Sequence, residues 1–311
     1  MTSRPQLWFL LAAFVLMALL PLTGSRYLIE LAVQILIYGL FALSLNVLAG
    51  QVGSVSFGHA AFFAVGGYVC AYLQTRLGWP LALSMLAAVA LSALAAYVIG
   101  LFCVRLNALY FSMLTLAFSM LVWAVIVNWK AVTGGDDGFV GVTVPALIEA
   151  PVHFFWFTWV VVALSVAALW VFSKSTMGRC FIAIRENSTR ASFLGINVPR
   201  MRLIAFVIAG TFAGLAGSLL ALYVRGMYAE SAFWTQSGQV MIMVLLGGVN
   251  SFIGPLVGAA LLYLLEVTLL QFTQYWPLAL GLILLFIVLV APDGLVGAAK
   301  HMRHKFGKRE Q

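Results

Sequence analysis

The stretch Leu81–Phe102, LALSMLAAVALSALAAYVIGLF, decides the fold. It runs for 22 residues without a charge and lacks the apolar/polar alternation of a half-buried strand. A bilayer core about 30 Å thick needs about 20 such residues per helix. Outward from this run, breaks at Gly, Pro, charged and polar clusters leave apolar segments at 7–22, 28–49, 56–74, 109–129, 154–172, 203–223, 238–249, 254–272 and 275–291. Backbone groups in hydrocarbon must be satisfied within their own segment, so these runs are expected to be helices. The sequence therefore predicts an all-α integral membrane protein, a polytopic helical bundle of about 8–10 transmembrane helices forming one domain over residues 1–311. Segment 238–249 is too short for an ordinary span, so it and 254–272 are expected to form a broken or re-entrant pair.

Composition supports the same solvent. Of 311 residues, 64% are hydrophobic and 8% charged, against roughly a quarter charged in a soluble domain. The net charge of +8 is informative through its distribution. Arg4, Arg105, Lys174, Arg179, Arg185, Arg190, Arg200, Arg202 and five basic residues of the tail 292–311 fall on one side. Only Arg26, Arg76, Lys130 and Arg225 fall on the other, which places both termini and the loop 173–202 in the cytoplasm. That asymmetry reports topology and gives no basis for a nucleic-acid partner. Cys70, Cys103 and Cys180 have no paired spacing, so they are expected to be packing residues and neither a disulfide framework nor a metal site. Leu22-Thr23-Gly24-Ser25 is not an Ala-x-Ala cleavage site, so the first apolar segment is expected to be retained.

Three regions depart from plain lipid-facing helix. The loop 173–202 opens with Gly178, Arg179, Cys180 through Arg185, Glu186 and Asn187, an amphipathic pattern that predicts a short helix. Leu194-Gly195-Ile196-Asn197 supplies a stop, and Pro199 follows where that helix should not continue. Such a helix suits docking of a soluble partner, although a basic loop that only fixes topology accounts for the same residues. Two Gly-rich stretches, 46–59 (Asn46, Gly50, Gln51, Gly53, Ser56, Gly58, His59) and 246–255 (Gly247, Gly248, Asn250, Gly254), fall at bilayer depth. Interrupted helices point to a translocation pathway, with packing glycines and a turn as the alternative. His59 has no acidic neighbour in sequence, which favours a hydrogen bond to a neighbouring helix over a proton relay. Glu30 and Glu266 are the acidic residues within predicted spans, and Glu266 is deep enough to remain a pathway candidate. Thr133-Gly134-Gly135-Asp136-Asp137-Gly138 is a polar turn on the external side that suits contact with an outside protein or solute, or a plain solvated turn. No phosphate-cradling Gly-x-x-x-x-Gly-Lys, paired His/Cys or Gly-x-Ser-x-Gly motif occurs, so no ATP hydrolysis is expected of this chain.

Taken in order, several words resemble the LivM type of the branched-chain amino acid permease family of ABC importers. They are Gly50-Gln51 with Ser56-Phe57-Gly58-His59, Gly66-Gly67-Tyr68, Tyr110-Phe111 with Thr115, Thr133-Gly134-Gly135 with Asp137-Gly138, and Gly178-Arg179 with Arg185-Glu186-Asn187. Leu194-Gly195-Ile196-Asn197, Ala213-Gly214 with Gly217, Leu246-Gly247-Gly248 with Gly254-Pro255, and Pro292 with Gly294-Leu295 continue the series to residue 295. Asn107-Ala108-Leu109 departs from the glycine the family usually carries before the tyrosine. The resemblance implies a permease of the bacterial inner membrane working as a heterodimer with a second related permease. It also implies two cytoplasmic ATPase subunits that bind the ATP and Mg, with no cofactor in this chain, and an extracytoplasmic solute-binding protein. Under it Gly178, Arg179, Arg185, Glu186, Asn187 and Gly195 belong to an ATPase-coupling loop. Asn46, Gln51, Ser56, His59, Tyr110, Thr115 and Ser119 are candidates for the substrate pathway. The solute would be a branched-chain amino acid or, across the family, urea, a short amide or a small aromatic acid. An ion-coupled secondary transporter is the alternative, and the scarcity of deep acidic residues weighs against it.

Overall fold

The computed structural model describes residue 12 and residues 14–272, 274–290 and 294–297. Of the segment 7–22, residues 7–11 and 13 lie outside the described residues, as does the tail 292–311 apart from 294–297. The principal helices are α1 (Arg26–Asn46), α2 (His59–Leu77), α3 (Leu81–Cys103), α4 (Ala108–Asn128), α5 (Pro151–Lys174) and α6 (Thr176–Glu186). They are followed by α7 (Ser188–Phe193), α8 (Val198–Val224), α9 (Trp234–Gly247), α10 (Gly254–Phe272) and α11 (Trp276–Val290). Six described helical runs are long and apolar enough to cross a bilayer: Arg26–Val52, α3, α4, α5, α8 and α10. The expected polytopic helical protein is thus present.

The centre of the bundle is a three-helix seam of small residues. Lipid tails are as apolar as leucine, so close van der Waals approach of backbones holds membrane helices together. Gly210, Gly214 and Gly217 of α8 face both α2 and α3. A Cβ on Gly210 would strike the Ala96 methyl, one on Gly214 the Ser92 hydroxyl, and one on Gly217 the Phe63 carbonyl. On α2, a Cβ at Gly66 would strike the Gly214 backbone. Ser92 Oγ donates to the Phe62 carbonyl at 3.3 Å across the same seam. Beside α3, α8 meets a second close partner because Gly66 and Gly67 give α2 a smooth face of its own.

α1 and the α9–α10 hairpin flank this seam. In the hairpin, Gly247 meets the Gly254 backbone and Gly258 meets the Met243 carbonyl too closely for any side chain. Gly248 turns the chain with φ 106°, which a residue with a Cβ rarely adopts. With 14 residues, α9 spans about 21 Å, short of a bilayer core, as the sequence predicts for this segment. At one end of the bundle a two-residue antiparallel pair, β1 (Phe139–Val140) with β2 (Gly226–Met227), ties the α4–α5 connection to the α8–α9 connection. The other end carries α6 and α7.

Candidate translocation and coupling site

The two Gly-rich interruptions lie against each other. α1 widens into π-helical turns at Val47–Val52, a form that recurs at functional positions. Gly53, at φ 77°, then turns the chain into an extended stretch before α2 begins at His59. The segment predicted as continuous helix from 56 therefore starts three residues later, because Gly58 must pass the Thr115 carbonyl more closely than any Cβ allows. Irregular backbone enclosed among helices needs protein partners. Ser112 Oγ donates to the Val55 carbonyl at 2.7 Å, and Ser237 Oγ of α9 accepts from the Ala60 amide at 2.9 Å. Asn46 Nδ2 reaches the Ser251 carbonyl in the second interruption at 3.2 Å.

α6 locks this junction. Ser175 caps it by accepting from the Gly178 amide at 3.4 Å, and its apolar face, Phe181 and Ile184, is buried. From the last turn Arg185 reaches inward: Nη1 donates to the Gly50 carbonyl and Nη2 to Asn250 Oδ1. One guanidinium therefore joins both interruptions to the same short helix. Its planar fork offers a separate nitrogen to each acceptor, a fixed geometry that a lysine ammonium lacks. The helix begins two residues before the predicted Gly178 and ends at Glu186. Asn187 caps a second short helix, α7, accepting from the Arg190 amide at 2.8 Å. Gly195, at φ 83°, ends α7 as expected. Pro199 sits in the first turn of α8, because its missing N–H costs nothing there. The span predicted from 203 accordingly begins at Val198. Arg179 and Glu186 are exposed.

A cavity of 660 Å³ opens at this junction, lined by Asn46, Gln51, Lys174, Arg179, Arg185 and Ser251. It brings together two of the pathway candidates with two of the coupling candidates. Ser56 and His59 are fully buried instead. His59 Nε2 lies 2.8 Å from Ser44 Oγ on α1, and its ring stacks on Phe41 at 5.4 Å. Since Ser44 Oγ donates to the Phe41 carbonyl at 2.6 Å, Nε2–H is the donor to Ser44. Thr115 and Ser119 are buried on α4, where Ser119 Oγ donates to the Ala232 carbonyl at 3.0 Å. Tyr110 is 60% exposed on the outer surface of the same helix. Sequence reasoning passed over Ser44, Ser112 and Ser237. Ser112, Thr115 and Ser119 recur at helical spacing on one face of an otherwise apolar run, and that stripe is the signal for Ser112.

At the strand-bearing end the candidate external loop is a built turn. Thr133 Oγ1 donates to Ile126 and Trp129 carbonyls, while its oxygen accepts from the Gly135 amide at 3.3 Å. Gly134 and Gly138 both have left-handed φ, and a Cβ on either would clash with neighbouring backbone or with Tyr228. Asp136 and Asp137 project from this frame and are exposed.

A bundle of bilayer-length apolar helices, cut by two adjoining interruptions and clasped by an amphipathic helix at one end, defines a multi-pass membrane transport protein. The family model described as branched-chain amino acid transport system / permease component matches residues 27–291, and the chain belongs to this bacterial ABC permease family. Members of the family do not themselves hydrolyse ATP. The chain is 28% identical to the high-affinity branched-chain amino acid transport system permease protein LivM of Salmonella typhimurium, over 93% of this chain and 74% of that protein. It is 26% identical to the LivH permease protein of Escherichia coli, over 84% of this chain and 91% of that one. A third relative is the autoinducer 2 import system permease protein LsrC of Klebsiella pneumoniae, 28% identical over 59% of this chain and 54% of its own length. No solved structure matches.

Proposed function

We propose that this chain is one transmembrane half of an ATP-driven importer that moves a branched-chain amino acid or related small polar solute inward by alternating access. The observation that carries the mechanism is the Arg185 clasp, since it gives a soluble motor a direct handle on both interrupted segments. The end bearing α6 faces the cytoplasm, where the basic residues concentrate. Two partner ATPases bind ATP and Mg and press on α6 through the exposed Arg179 and Glu186. A second related permease completes the channel; LivM and LivH of Escherichia coli, two permease proteins named for one transport system, both match this chain. A solute-binding protein docks at the opposite end, near the Thr133–Gly138 turn.

Copurification tests this. The detergent-solubilised complex is captured as wild type and as the Arg185→Ala/Glu186→Ala double variant, then probed for an associated ATPase. An ATPase present with wild type, and lost or no longer stimulated by substrate-loaded binding protein in the variant, supports the importer and the coupling role. A folded wild type that brings down no ATPase when expressed with its neighbours overturns it in favour of ion-gradient transport by this chain alone.

A further inference from the structure

A second cavity, of 340 Å³, lies near the strand-bearing end, far along the chain from α6 and its basic cluster. It is walled by α1, the end of α8, α9 and α10, and its size falls within the range of small-molecule sites. Its polar chemistry is one-sided. Glu266 of α10 and Glu230 line it, and no lysine or arginine does among the described residues. Among the described residues the Glu266 carboxylate accepts one hydrogen bond, from Gln239 Nε2, a neutral donor at 3.4 Å. The neighbouring ion pairs do not reach it: Arg26 is held by Glu30 at 2.8 Å and Arg225 by Glu149 at 3.3 Å. Beside Glu266, Tyr38 and Tyr263 stack with ring centroids 6.0 Å apart, and the remaining wall includes Leu220 and Met243.

A carboxylate among apolar helices costs free energy unless a counter-charge arrives, and an intramembrane acid of this kind marks a site. Aromatic faces next to it add attraction for a cation, and the aliphatic wall accepts an alkyl group. We propose that this cavity is a subsite for the ammonium end of an amine-bearing solute with a short apolar tail, with Glu266 as its counter-ion, and that it disfavours net anions. This deepens the importer proposal and rests on it for the solute being a transported one. Among the solutes the family resemblance leaves open, it selects amino acids over aromatic acids. Of the residues singled out from sequence for the pathway, Glu266 lines it, while Asn46, Gln51, Ser56, His59, Tyr110, Thr115 and Ser119 do not.

Charge-selective thiol labelling tests the subsite in the full complex, in right-side-out membrane vesicles. Ser231, which also lines the cavity, is changed to Cys; Cys180 is replaced by Ser, while Cys70 and Cys103 are buried. Labelling rates with a cationic and an anionic methanethiosulfonate are compared with those of a free thiol. The expected result is at least a tenfold preference for the cation, cut threefold or more by Glu266→Gln, with Glu230→Gln measured alongside to apportion the adjacent charge. L-leucine at millimolar concentration should slow labelling severalfold, and 4-methylpentanoate, the same skeleton without the ammonium, should not. Equal rates for both reagents, no effect of Glu266→Gln, or equal protection by acid and amino acid overturns the subsite. Copurified ATPase is scored on the same vesicles. ATPase present without charge preference removes the subsite and leaves the importer, whereas charge preference with no ATPase removes the importer and leaves the subsite.

Discussion

Arg185→Ala removes both hydrogen bonds that join α6 to the interruptions and leaves the Gly50 carbonyl and Asn250 amide without that partner. Hydrogen bonds from charged donors contribute about 1.5–3 kcal/mol when sheltered, and Arg185 is exposed, so about 1 kcal/mol each is the appropriate figure. Together they make about 2 kcal/mol, or roughly a 30-fold rise in local opening. Two amides report it: Ser54, bonded to the Leu48 carbonyl at 3.0 Å, and Ser251, bonded to the Gly248 carbonyl at 3.0 Å. Hydrogen exchange should accelerate by about that factor at both amides while the α2–α3–α8 seam stays unchanged. Arg185→Lys should give an intermediate, roughly fivefold effect, because an ammonium keeps the charge but lacks the two-nitrogen fork that serves the acceptors separately. Unchanged exchange at both amides in the alanine variant, or full protection in the lysine variant, would refute the clasp.

Gly214→Val should abolish folded protein, seen as loss of the monodisperse peak in detergent, since its Cβ falls on the Ser92 hydroxyl. Gly238→Ala, where a Cβ meets nothing within 4 Å, should leave that peak intact. Ser237→Ala removes the acceptor for the Ala60 amide and should destabilise the start of α2 by about 1 kcal/mol, read as a lowered melting midpoint. Ser237→Thr should keep most of that stability. Asp136→Asn with Asp137→Asn should weaken capture of the solute-binding protein severalfold at low salt and little at high salt, leaving the melting midpoint unmoved. An equal loss at both salt concentrations would show that these carboxylates do not meet the partner electrostatically.

Much of the fold was legible because membrane helices announce themselves by length and apolarity. The run at Leu81–Phe102 became α3 within a residue, and the short eighth segment became the 14-residue α9. The interruptions were legible as glycines in apolar surroundings. Their meeting was not, since Gly50 and Asn250 are joined through a guanidinium 135 residues from one and 65 from the other. Arg185 was singled out for its place in an amphipathic loop, but no local pattern says that a basic side chain on the last turn points back into the bundle. His59 and Ser44 show the same limit, because a serine within an apolar helix carries no mark of its partner 15 residues on. The polar cavity around Glu266 draws two or three residues from each of four helices, a convergence that one-dimensional periodicity cannot display.

The glycine seam constrains how this protein can move. Where Gly66, Gly214 and Gly217 bring main chain onto main chain, there are no rotamers to exchange, and a slip by one position would drive a larger residue into a carbonyl. α2, α3 and α8 must therefore travel as one stiff keel. The joints around α1 and the α9–α10 hairpin include the hydrogen bonds of Arg185, Asn46 and Ser237, which can be exchanged one at a time without driving main chain through main chain. Any rocking of the bundle is thus concentrated along a line of exchangeable contacts beside an inflexible spine.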